Sequence, residues 1–168
     1  MFDKFGEFNS YEEINRAAEA QRAEGDLEAL QALAEENGLD PEDAEDFFDG
    51  ISTNFCVARN AALGKLRIEK AELKLEREFV MLTEELEKAC MESPGVAAGV
   101  RKKGKRLAEY LAKIIDKGYR DAMTPPKAIL DKVTAVPSQY KSQMKTGVPD
   151  KRDRMEIMKA YYCGEAAK

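Results

Sequence analysis

The chain contains no histidine and no tryptophan. Without histidine it lacks the commonest general base, the commonest metal ligand, and every Ser-His or Cys-His nucleophile pair. A hydrolase built on this sequence would have to work through carboxylates, lysine or a carboxylate-held metal. Cysteine is scarce too. Cys56, Cys90 and Cys163 are odd in number and far apart, so neither a disulfide framework nor a metal-binding spacing is present, and buried thiols are expected. No apolar run approaches the roughly 18 residues of a membrane span. The N-terminal "MFDKFGEFNS" is acidic and mixed, unlike a secretory signal. These absences lead us to expect a soluble cytoplasmic protein with no membrane association and no cofactor.

Ala, Glu, Lys and Leu dominate instead, charged residues reach 35%, and the 168 residues suffice for one packed core. The net charge of −5 conceals a division. Residues 1–50 hold 3 basic and 16 acidic residues, whereas residues 51–168 hold 24 basic and 16 acidic. We therefore expect an acidic N-terminal helical segment (1–50) and a basic helical bundle (51–168), packed as one domain. Either the two attract each other or one of them meets a charged partner.

Local signals predict an all-α fold, a compact bundle of about six to seven helices. Ser10 with Glu13 reads as a capping box, and Gly25 lies where that helix should end. Asp26 caps a second helix closed by Gly38, which together make an acidic helical hairpin. Asp40-Pro41 opens a third helix that ends at Gly50. Ile68, Leu75, Phe79, Leu82, Leu86 and Ala89 follow heptad-like spacing, which predicts one long central helix over about 65–91. Its 68–89 seam could also join a homodimer. Ser93-Pro94 starts a helix expected to run to Lys117, and Thr124-Pro125-Pro126 starts another that Val136-Pro137 stops. Residues 137–149 read as a loop before a last helix closed by Gly164.

The stretch "GVRKKGKR", residues 99–106, comes within one residue of the phosphate-gripping loop G-x4-G-K followed by Ser or Thr. No strand precedes it and Arg106 replaces the metal-binding hydroxyl, so a nucleotide site is not expected. On a helical wheel, Arg101, Lys102, Lys105, Arg106 and Lys113 spread over one side, a candidate surface for double-stranded DNA or else a solvated face. Asp40, Glu42, Asp43, Glu45, Asp46 and Asp49 crowd one short helix, a candidate surface for a basic partner or else a solubilising one. They lack the alternating ligands of a calcium loop.

The first fifty residues, followed by "AALGKL", "VRKKGKRL" and a "YY-x-G" ending at Tyr161, Tyr162 and Gly164, resemble small helical proteins of phages, plasmids and conjugative elements of gut Firmicutes. Proteins of that setting include anti-CRISPR proteins, with Cas9 the leading target. The resemblance implies a non-enzymatic protein that binds Cas9 or its guide-RNA complex and blocks target-DNA engagement or cleavage. The alternative expectation is a DNA-binding accessory protein of a mobile element.

Overall fold

The computed structural model describes residues 4–164, and they are all-helical. These residues contain ten helices: α1 Tyr11–Glu24, α2 Leu27–Glu36, α3 Pro41–Phe48, α4 Ala58–Glu72, α5 Glu78–Glu92, α6 Pro94–Arg101, α7 Leu107–Arg120, α8 Lys127–Leu130, α9 Ser138–Lys141 and α10 Lys151–Met158. A π-helical turn, Lys159–Cys163, extends the last of them. Among the described residues the extended pairing is a single bridge between Met123 and Thr146.

Capping chemistry accounts for the N-terminal architecture. Ser10 accepts from the Glu13 N–H, satisfying an orphan donor at the start of α1, and the Glu13 carboxylate reaches back to the Asn9 N–H just before the cap. Asp26 caps α2 through the Ala29 N–H, and Asp40 caps α3 through the Glu42 N–H with Pro41 at the first helical position. The three short helices bury Ile14, Ala18, Leu30, Leu33, Ala34, Ala44 and Phe47 in one cluster, which Phe55, Cys56 and Ala61 complete.

The expected long helix over 65–91 is not formed, and this correction also raises the helix count. The chain breaks after Leu73, where Lys74 and Arg77 both adopt left-handed φ values of 49° and 50°. It folds back as the α4–α5 hairpin, with Lys70 pairing Glu87 at 3.1 Å across it. The apolar seam thereby packs largely within one molecule. Leu66, Leu86 and Ala89 are buried in the second cluster, and Leu75, Phe79 and Leu82 pack against it. Most of the 68–89 seam is thus spent on the chain's own core.

The helix expected to run from Ser93 to Lys117 is also divided. Ser93 caps α6 as read, but α6 ends at Arg101, and a turn through Gly104 (φ 76°) precedes α7. This bend lets α7 bring Leu107, Tyr110, Leu111 and Ile114 onto the second cluster beside Met158, Tyr161 and Tyr162. Close backbone contacts seat the elements. A Cβ on Gly64 of α4 would lie 2.2 Å from the Asn37 carbonyl oxygen, and one on Gly99 of α6 would lie 2.3 Å from that of Tyr162.

The helix expected from Thr124 to Val136 shrinks to the single turn α8, and the expected loop at 137–149 contains the turn α9. Residues 123–146 bury little beyond Leu130, so no apolar face is available to sustain longer helices here.

Candidate functional site

The acidic helix presents an uninterrupted charged face. Ala44 and Phe47 point into the N-terminal cluster and Phe48 packs beside it. At about 100° per residue, Glu42, Asp43, Glu45, Asp46 and Asp49 then fall on the opposite half of the helix. All five are exposed, as is the capping Asp40. Gln31 donates to Glu45, but among the described residues none of the six carboxylates meets a cation in an ion pair. Glu24, Asp26, Glu28 and Glu35, exposed on or beside α1 and α2, add negative charge to the same N-terminal region.

The five cations singled out in the sequence have different fates. The bend at Gly104 separates Arg101 and Lys102 from Lys113, so they do not share one helix face. Arg101 is buried at 1% exposure, and its Nη2 donates to Asn37 Oδ1 at 2.7 Å. Arg106 contacts Glu7 at 3.0 Å and Glu69 at 3.4 Å. Lys105 and Lys113 lie over the Tyr161 ring, 4.4 Å and 5.5 Å from its centroid, at the distance of cation–π contacts. Lys102 is exposed, as is its neighbour Lys103.

A polar cluster that sequence reasoning missed joins the turn to the N-terminal residues. Lys65 of α4 is 1% exposed and donates to Glu7 Oε1 at 3.1 Å and to the Lys102 carbonyl at 2.9 Å. Burial pushes the Lys65 ammonium below its ordinary pKa, against the opposing pull of Glu7 and Glu69. Burial likewise raises the Glu69 carboxyl, although the Leu107 N–H donates to it at 2.7 Å. Burial acts on Glu7 in the same sense, but the hydrogen bond and charge of Lys65, the Arg106 charge and the Gly104 N–H outweigh it. Glu7 is therefore held below the ordinary carboxylate value. No local periodicity marks these residues, because their hydrogen-bonded partners lie 37 to 99 positions away; their trace in the sequence is charge at helix positions that face inward.

None of the clefts described is lined by the residues of this cluster. The roomiest cleft described, about 680 Å³, lies elsewhere, between α5, α7 and residues 145–149. It is lined mainly by apolar groups such as Phe79, Leu82, Ile115 and Val148, and carries no carboxylate pair. Cys56 and Cys90 are buried and their thiols are pushed up to about 12, away from nucleophilic reactivity. Among the described residues no group of His, Cys, Asp or Glu could hold a metal ion, and no helix is long and apolar enough to cross a membrane.

No protein-family model matches the chain, and neither a curated protein nor a solved structure matches it significantly.

Proposed function

We propose that this chain is a non-enzymatic binding protein whose acidic helix α3 occupies a basic, nucleic-acid-binding groove on its partner. The observation that carries this reading is the exposed row Glu42, Asp43, Glu45, Asp46 and Asp49, none of which forms an ion pair among the described residues. Several carboxylates on one rigid face match a groove built to hold phosphates, and they raise the association rate by electrostatic steering. Stability alone does not explain them. Asp46 lies in the last turn of α3 and Asp49 at its C-cap, where negative charge opposes the helix dipole and costs about 0.3–1 kcal/mol each.

The sequence resemblance to anti-CRISPR proteins names the partner: Cas9 or its guide-RNA complex, whose DNA channels are positively charged. Binding there would block target-DNA engagement or cleavage. The direct test is binding of a purified Cas9–guide complex to the immobilised chain across a salt series. Affinity should fall steeply with salt and be lost when target DNA already fills the channel.

A second reading, a DNA-binding accessory protein of a mobile element, is favoured by the exposure of Lys102, Lys103 and Lys113. It predicts a gel shift on double-stranded DNA that weakens when those three lysines become alanine. About three phosphate contacts give a slope near −3 for log affinity against log salt. A salt-insensitive shift would count against it.

A further inference from the structure

The turn that imitates a phosphate loop in its letters does hold an anion, and that anion belongs to the chain itself. Residues 4–10 form a strap without helix, laid across the turn between α6 and α7. Glu7 Oε1 receives the Lys65 ammonium at 3.1 Å and the Gly104 N–H at 3.4 Å, while Oε2 receives Arg106 Nη2 at 3.0 Å. Next to them, the Lys103 N–H donates to Asn9 Oδ1 at 3.3 Å. Successive backbone N–H groups of the turn thus both point at acceptors on the strap. A lysine, an arginine and a glycine N–H converging on one pair of oxygens is the donor set that grips phosphate. Glu69 stands nearby, but its oxygens are engaged by the Leu107 N–H and by Arg106 Nη1.

We propose that Glu7 is a tethered occupant of an oxyanion site, and that phosphate binds the same donors once the Glu7 carboxylate is withdrawn. The donors come from α4 and from the α6–α7 turn, so the site outlasts removal of the strap's carboxylate. Lys65 is fixed for the task by its second bond to the Lys102 carbonyl. The inference stands apart from the acidic-face reading, since it uses none of the α3 carboxylates.

The test is a chemical rescue in the full-length chain. Glu7→Ala and wild type are melted in inorganic phosphate and in chloride at matched ionic strength and pH, with calorimetric titration of phosphate alongside. Phosphate also stabilises proteins generally by exclusion from their surface, so the wild-type response is the baseline. Above that baseline, phosphate at about ten times a millimolar Kd should raise the folded-to-unfolded ratio of Glu7→Ala about tenfold. The effect should saturate, and a Glu7→Ala/Lys65→Met double variant should lose it. Equal phosphate responses in Glu7→Ala and wild type would overturn the proposal. If Glu7→Ala is unfolded in chloride, refolding in phosphate that the Glu7→Ala/Lys65→Met double variant does not share supports the site, and failure to refold or equal refolding of both overturns it. Competition by a short single-stranded oligonucleotide would assign the site to phosphodiesters, and its absence to free phosphate.

Discussion

The ammonium of Lys65 lies 3.1 Å from Oε1 of Glu7, 58 positions earlier in the chain, and their side chains are only 1% and 9% exposed. This pair fastens the N-terminal strap to α4 and to the turn before α7. Removing one member leaves the other charge buried without its partner, at a cost of about 3–5 kcal/mol. Glu7→Gln and Lys65→Met should each lower stability by about that much in urea melts. The double variant should lose clearly less than their sum, because no stranded charge remains. Additive losses would mean that the two groups do not act as a unit.

The same pair sets a pH dependence. Glu7 titrates below its ordinary 4.5, so its contribution is fully present above that pH and is lost as pH falls through the depressed folded value. The stability gap between wild type and Glu7→Gln should therefore be constant near neutrality and shrink in acid below about 4.5. Paired urea melts from pH 7 downward would show it. A gap that widened in acid would contradict the assignment.

The hairpin between α4 and α5 carries local strain. Lys74 and Arg77 both hold left-handed φ, a region that disfavours side chains and suits glycine. Lys74→Gly should raise the stability by about 0.5–1 kcal/mol despite glycine's entropy in the unfolded chain. Thermal melting measures this directly, and a destabilised variant would mean that another interaction of Lys74 outweighs the strain.

Tyr162 is buried, and its hydroxyl has no hydrogen-bond partner among the described residues. Its ring meets Tyr110 and Tyr161 at centroid distances of 5.5 Å and 4.7 Å, so the packing does not need the oxygen. Tyr162→Phe should gain about 1 kcal/mol by removing an unsatisfied polar group. A loss in calorimetry would instead point to a water or other partner on the hydroxyl.

How far the sequence discloses this molecule depends on the range of the interaction. Caps act over three or four residues, so Ser10, Asp26, Asp40-Pro41 and Ser93-Pro94 announce their helices correctly. Gly25 and Gly38 mark chain reversals, each with left-handed φ. The break at 73–77 carries neither glycine nor proline, and a continuous heptad seam looks the same whether its halves meet within one molecule or across two. Gly104 stands at the second break, but the run of cations around it fits a continuous helical wheel as well. Burial of Lys65 and Arg101 rests on partners 58 and 64 positions away, beyond any local pattern. The acidic face of α3 was legible because amphipathicity is itself local.

The most direct test of the proposed function is target-DNA cleavage by a Cas9–guide complex, with wild type and with a variant reversed at Asp43, Asp46 and Asp49 to lysine. Those carboxylates form no ion pair among the described residues, so the variant should melt at or slightly above the wild-type temperature. Wild type should suppress cleavage in a dose-dependent way, and the variant should need at least about tenfold more protein, equivalent to 1.4 kcal/mol of lost binding. Equal inhibition by both, or undisturbed cleavage in the presence of wild type, would contradict the account.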